Sequence, residues 1–360
     1  MSKACLTFFA AGAVLCFSAC DKTPEAGASP RDKGSRHLGI HITPAQNQDY
    51  PTAFTQARTT GIDCVPFTLQ WSALEANGTY DPQGLLDDLN GFYGTQPVSL
   101  SVCLSPIAAN RRDVPADLMQ TAFDDSGMIQ RFDRLLDTMH AHLPATNIRY
   151  LLIGNEVDLY FSLHPEEWSA YATFCAAVRL HARLLWGNQL MVGAETTLGA
   201  NMGTDYPAIA SLNAPLDMVC LTYYPLSSTF TMNPVSVVGN DLESLLQKYP
   251  GRPVLMQECG YATSPVCSGS DSAQASFVRD IFTIWDRHAD QMIYVAFLWL
   301  NDLSNTQAQS EAVYYGLDGT TVDQAFTAYI GSLGLCDSLG VAKPGFLSLR
   351  EEAGARGWNP

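Results

Sequence analysis

Eight short apolar runs of strand length punctuate this chain, and a longer stretch with helically spaced apolar residues follows most of them. That alternation limits the fold more than any other feature, because strands separated by helices must pair in parallel and be covered on both faces. The strand candidates are His37–Ile42, Gly61–Leu69, Pro97–Leu104, Ile148–Gly154, Gln189–Ala194, Leu216–Thr222, Pro253–Gln257 and Gln291–Leu298. Helical spacing marks Tyr50–Thr60, Leu85–Tyr93, Met128–His142, Trp168–Trp186, Asp241–Tyr249 and Ser272–His288, with a weaker pattern near Tyr206–Leu212. Closing eight such strands into a single α/β domain, a (β/α)8 TIM barrel, leaves no sheet edge exposed. An open doubly wound sheet is the competitor. It fits less well, because Gly39-Ile-His-Ile-Thr-Pro44 follows the first strand where a G-x-G-x-x-G turn would be expected.

The barrel is expected to occupy residues 37–360. Ahead of it, Lys3, the apolar stretch Cys5–Leu15 and the small-residue end Phe17-Ser18-Ala19-Cys20 have the order and length of a secretory signal over residues 1–19. This end resembles the lipobox of bacterial lipoproteins, which implies lipidation at Cys20, with Phe17 departing from the usual Leu. Residues 20–36 are polar, contain Pro, Gly and Ser, and lack periodicity, as a flexible tether would. The resemblance implies a bacterial cell-envelope protein facing away from the cytoplasm and touching the membrane only through its N-terminal lipid. No apolar run reaches the ~20 residues that span a bilayer.

With 36 acidic and 20 basic residues the net charge is −16, and a surface of that sign repels phosphate backbones, so nucleic acid is not an expected partner. Beyond Cys20 lie seven cysteines, an odd number. Cys64, Cys103 and Cys220 sit inside apolar strand-like runs and read as buried thiols, whereas Cys259 and Cys267 are close enough to close a small loop in an oxidising compartment.

The chemistry lies where polar residues first appear after an apolar strand, since the C-terminal strand ends form the floor of a barrel active site. The fourth strand runs Tyr150-Leu-Leu-Ile-Gly-Asn155-Glu156 and the seventh Pro253-Val-Leu-Met-Gln257-Glu258. Each delivers a glutamate to the same face of the barrel, from nearly opposite sides of its axis. Held about 5–5.5 Å apart, one carboxylate can attack an anomeric carbon while the other protonates the leaving oxygen and then activates water. Which residue takes which role is not legible from this physics.

Gly154-Asn155-Glu156 together with Gln257-Glu258 resembles the clan-A retaining glycoside hydrolases. By that resemblance Glu156 is the acid/base, Glu258 the nucleophile, and Asn155 the partner of the substrate 2-hydroxyl. Trp71-Ser-Ala-Leu-Glu75-Ala-Asn-Gly78-Thr-Tyr80-Asp81 resembles a stretch after strand two in that clan. Leu221-Thr-Tyr223-Tyr224-Pro225 resembles the segment carrying the tyrosine that hydrogen-bonds the nucleophile, in the form found in endo-β-1,4-galactanases. Phe297-Leu-Trp299-Leu-Asn-Asp302 resembles the segment whose Trp floors the subsite of the reacting sugar. Gly334-Leu-Cys-Asp-Ser-Leu-Gly340 and Lys343-Pro344 resemble that family's final loop and helix.

Tyr223 and Tyr224, being adjacent in a strand, face opposite ways, and Tyr224, followed by Pro225, is the one expected in the site. Trp299 reads as a sugar platform, while Trp71 suits a platform and a packed core equally. Many clan members carry an Arg on strand two, and Cys64-Val-Pro66-Phe67-Thr68 has none, leaving Thr68, Gln70 or His41 to supply a substitute hydrogen bond. Glu75 and Glu195 are expected in solvated loops. No H-E-x-x-H, clustered Cys/His spacing, G-x-S-x-G or P-loop occurs, so neither metal nor cofactor is expected. The resulting expectation is a monomeric retaining glycosidase acting on a β-linked neutral oligo- or polysaccharide. A non-catalytic carbohydrate-binding lipoprotein and a transglycosylase are the alternatives.

Overall fold

The computed structural model describes residues 29–360, so the expected signal segment, the lipidated Cys20 and the first part of the tether lie outside the described residues. Eight parallel strands circle the domain: β1 (His37–Ile40), β2 (Cys64–Gln70), β3 (Ser99–Ala108), β4 (Ile148–Asn155), β5 (Met191–Gly193 and Glu195–Thr197, split at Ala194), β6 (Val219–Tyr223), β7 (Val254–Cys259) and β8 (Met292–Phe297). Ladders join β2 to β3, β3 to β4, and β4 to the first half of β5. The second half of β5 pairs with β6, and the ring continues through β7 and β8 to β1. Asp63 closes the remaining seam between β1 and β2. Its backbone N–H donates to Leu38 O at 3.1 Å, and its Oδ1 accepts from Leu38 N at 2.9 Å.

Two cores result. Cys64, Cys103, Tyr150, Cys220, Leu255 and Tyr294 fill the barrel interior, and a larger apolar layer separates the strands from the surrounding helices. Gly39 is required in the first: a Cβ there would collide with the Tyr294 hydroxyl and with Cys64 O, 2.6 Å away. The seven cysteines of the described residues are all buried free thiols, so Cys259 and Cys267 do not form the small disulfide loop. Several helices start where a side chain satisfies their free N–H groups. Asp49 caps α1 (Tyr50–Arg58), with Pro51 in its first turn, and Ser270 caps the helix Asp271–Arg287.

The tether ends earlier than its composition suggests. Residues 31–36 are pinned to the N-terminal face of the barrel, where Lys33 N donates to Arg356 O at 2.8 Å. Arg36 is 2% exposed; it pairs with Asp286 at 2.9 Å, and its guanidinium lies over the rings of Trp285 and Trp358. Truncating Arg36 removes a buried charged pair together with its stacking on both rings and leaves Arg356, 2.8 Å away, as the ion partner of Asp286. Arg36→Ala is therefore expected to lower the unfolding free energy by about 3 kcal/mol in chemical denaturation. A loss below about 1 kcal/mol would mean that the pair acts as an ordinary surface ion pair.

Sequence periodicity also misses a segment after β8. Instead of running straight to the last helix, Pro344–Ala355, the chain forms helices Asn305–Tyr314 and Asp323–Ile330 above the C-terminal end of the barrel. The first buries only Ala308 and Ala312, so it carries no apolar stripe to betray it. The Ser304/Gln307 capping box is its one legible signal.

Candidate active site

The C-terminal strand ends open into a cavity of about 970 Å³, and both Glu156 and Glu258 stand in its wall. Glu156 follows β4 in a left-handed conformation, φ 43°, an uncommon state for a residue with a side chain. Its surroundings hold it there. Gly154, at φ 83°, leaves no room for a Cβ against the Tyr171 hydroxyl and Val157, and Tyr171 Oη donates to Ile153 O at 2.9 Å. Two residues beyond Glu156, the Asp158 carboxylate accepts from Thr197 N at 2.7 Å and Thr197 Oγ1 at 2.8 Å, fastening this loop to β5.

On β7 the register with β6 shifts between Leu221 and Thr222, so that Thr222 pairs with Glu258. A bulge re-aims side chains. Here Gln257 turns across the barrel, where its Oε1 accepts from Ser101 Oγ of β3 at 2.6 Å, and Glu258 faces the cavity.

The two glutamates have different surroundings. Glu156 Oε1 accepts a hydrogen bond from Thr222 Oγ1 at 2.7 Å, and among the described residues no cation faces it. Desolvation, with the nearby Glu258 charge as the second cause, pushes its carboxyl up to about 8. Glu258 Oε2 accepts from Tyr224 Oη at 2.8 Å, and its Oε1 lies 4.0 Å from His41 Nε2. That nitrogen also lies 3.1 Å from Gln257 O; a carbonyl can only accept, so Nε2 carries the proton. Burial lowers the His41 pKa, favouring the neutral ring. Burial likewise raises Tyr224 far above its usual range, aided by the Glu258 charge, so its hydroxyl remains a donor.

Among the other expected residues, Asn155, Gln70, Thr68, His41 and Trp299 line the same cavity. Tyr223 and Tyr224 both touch it, but Tyr223 turns its ring toward Phe277 and donates its hydroxyl to Asp241 at 2.8 Å. Trp71 is elsewhere. It is fully buried beneath the β2 loop, packed edge-on against Phe132, with its indole N–H donated to Glu75 at 2.7 Å, so it is a core residue and not a sugar platform. Glu75 is accordingly not solvated, since Arg131 Nε also reaches it at 2.6 Å. Glu195 is equally far from a solvated loop. It is fully buried beneath the site and accepts from Asn155 Nδ2 at 3.2 Å, and burial, with Glu258 nearby, pushes its carboxyl well above the usual range.

Sequence reasoning missed the roof. Tyr315, just past the helix Asn305–Tyr314, and Phe326 and Tyr329 from the helix Asp323–Ile330 form one wall, and Phe230 from the loop after β6 packs against Phe326 and Tyr329. Tyr329 meets Tyr224 edge-on at 5.9 Å, extending the aromatic surface to the residue that contacts Glu258. Thr222 was missed as well, because a threonine in an apolar strand looks like an ordinary β-former. The cavity wall contains Glu156, Glu258, Asp241 and Glu311 but, among the described residues, no lysine or arginine.

No protein-family model matches the chain, and no curated protein does. Solved structures of similar shape do exist. A GH5_18 from Streptomyces cattleya in complex with GlcNAc aligns over 92% of this chain and 82% of its own, at 17% identity and a TM-score of 0.67. A GH5_18 from Bifidobacterium longum subsp. longum in complex with Manb1-4GlcNAc aligns over 89% and 78%, at 18% identity and a TM-score of 0.65. Fungal β-1,4-galactanase aligns over 88% of this chain and 99% of its own, at 12% identity and a TM-score of 0.61. The chain therefore has the (β/α)8 fold found in GH5 and galactanase glycoside hydrolases, with two glutamates facing one cavity at the ends of β4 and β7.

Proposed function

We propose that the protein is a retaining glycoside hydrolase that cleaves β-linked neutral glycans, with Glu156 as acid/base and Glu258 as nucleophile. The observation that carries this reading is the unequal environment of two carboxyls on one cavity. Glu156, pushed up to about 8, holds a proton at neutral pH and suits donation, while the Tyr224 hydroxyl steadies Glu258 for attack. In the first step a Glu258 oxygen bonds to the anomeric carbon as the glycosidic bond breaks, and the Glu156 proton passes to the departing oxygen. In the second, Glu156 takes a proton from water, whose oxygen displaces Glu258 from the same carbon. Asn155, held by Glu195, is suited to the 2-hydroxyl, and Trp299 to the apolar face of the ring. With His41 and the tyrosines in place of a strand-two Arg, the site has, among the described residues, no lysine or arginine to recognise a uronate carboxylate, which favours neutral sugars.

The Manb1-4GlcNAc complex and the β-1,4-galactanase among the neighbours point to a first panel of aryl β-mannosides and β-galactosides. Purified protein is expected to release the aryl alcohol from at least one of them with retained configuration, followed by NMR of the first-formed sugar. Sugar binding without turnover across the panel would favour a carbohydrate-binding module instead.

The proposed location is the cell envelope, through lipid on Cys20. Cys20→Ala is expected to move the protein from the membrane fraction to the soluble fraction of an expressing bacterium; an unchanged distribution would remove the anchor from the proposal.

A further inference from the structure

The catalytic cavity is bordered by a second groove of about 570 Å³, lined by residues that include Ser72, Asn77, Asp113 and Arg111. The two spaces share two wall residues, Gln70 at the end of β2 and Tyr314 at the end of the helix Asn305–Tyr314. These residues touch: Gln70 Nε2 donates to Tyr314 Oη at 3.3 Å. From the far side Arg111, in the short hairpin that extends β3, lays its guanidinium on the Tyr314 ring, 3.3 Å from the centroid. The end of β2, the hairpin after β3 and the helix Asn305–Tyr314 thus meet in a clasp across the top of the barrel.

We infer that the Gln70–Tyr314–Arg111 clasp closes one end of the sugar cleft, so that the protein removes single residues from the non-reducing end of a chain. This rests on the glycosidase reading above. The clasp stands on the β2, β3 and β8 side, where His41, Thr68 and Trp299 surround the place of the sugar that Glu258 attacks. The opposite side of the cavity is formed by the loops after β4 and β5, where Leu159 and Met202 are 38% and 39% exposed. Glu156 also comes from the β4 side. An acid/base stands beside the oxygen it protonates, so the leaving part of the chain exits over Leu159, Leu198 and Met202, and the attacked sugar sits against the clasp. A polymer running through the site would have to occupy both spaces at once, and the clasp stands between them. Neither the ring stacking nor the hydrogen bond reads any particular sugar, so the clasp sets where the chain is cut and leaves sugar identity to the cavity floor.

The test uses hexaoses of β-1,4-mannose and β-1,4-galactose carrying a fluorophore at the reducing end, with an aryl β-glycoside as a separate measure of turnover. The parent protein is expected to shorten the labelled hexaose one sugar at a time, giving labelled pentaose before any shorter labelled product. Tyr314→Ala combined with Arg111→Ala opens the clasp and is expected to raise the share of internal cuts about tenfold. Circular dichroism and thermal unfolding report whether that variant folds. Tyr314→Phe, which keeps the ring under Arg111, is expected to retain the end-wise ladder. If the parent turns over the aryl glycoside but yields labelled biose or triose from the start, the clasp proposal is overturned and the glycosidase reading stands. If no β-glycoside or oligosaccharide is turned over, the glycosidase reading falls and takes the clasp proposal with it.

Discussion

Glu258→Gln is expected to lower kcat on the best aryl β-glycoside by about ten-thousandfold, equivalent to roughly 5 kcal/mol of transition-state stabilisation. The substitution is close to isosteric, and the amide oxygen can still accept the hydrogen bond that Tyr224 Oη gives to Glu258 Oε2. Packing around His41 and the Gln257–Ser101 contact on the same strand should therefore persist, so a lost rate reports chemistry and not misfolding. What disappears is the oxygen able to form the glycosyl ester, because a neutral amide is a far weaker nucleophile than a carboxylate. A 2-deoxy-2-fluoro aryl glycoside, which slows release of the intermediate, should leave its sugar on the peptide containing Glu258, detectable by mass spectrometry. A variant within about tenfold of the parent rate would exclude Glu258 as the nucleophile.

The second large effect concerns Glu156, and it depends on the leaving group. With a poor leaving group, such as a second sugar, proton donation is needed for bond breaking, and Glu156→Ala should cost about a thousandfold. A dinitrophenyl leaving group departs without a proton, so its first step should survive, and the slow step becomes attack by water lacking its base. Azide needs no base; added azide should restore turnover and give a β-glycosyl azide. The pH profile gives an independent check. Desolvation in the cavity and the nearby Glu258 charge push the Glu156 carboxyl up to about 8. The proton it donates is present below that value and is lost as pH rises through it, so kcat/KM on a disaccharide should fall above about pH 8. In Glu156→Gln this alkaline limb should vanish along with most of the rate. Persistence of the limb in that variant would assign it to another group.

Much of the site was legible because it follows from strand ends. Tyr150–Gly154 and Pro253–Met256 are unbroken apolar runs, and the polar pairs that follow them, Asn155-Glu156 and Gln257-Glu258, fall at the catalytic end of their strands once the barrel closes. Trp71 shows where such reading stops. A tryptophan with a glutamate four residues later fits both a sugar platform and a buried pair, and only the packing of Phe132 and Arg131 around them chose the second. Glu195 was misplaced for a related reason: β5 continues past Ala194, which carries the carboxyl into the interior beneath Asn155. The roof was invisible because the helix Asn305–Tyr314 buries only two alanines, Ala308 and Ala312.

What the sequence determined by itself is the repeat of strand and helix, and with it the barrel and the two glutamates at its mouth, since periodicity and strand polarity are local properties of a chain. Which carboxyl lies near Thr222 and which near Tyr224, which aromatics face the cavity, and how the helix Asn305–Tyr314 meets Gln70 and Arg111 were decided by the tertiary structure. These are contacts between residues tens to hundreds of positions apart, and desolvation and hydrogen bonding act on distance in space, which spacing along a chain does not encode.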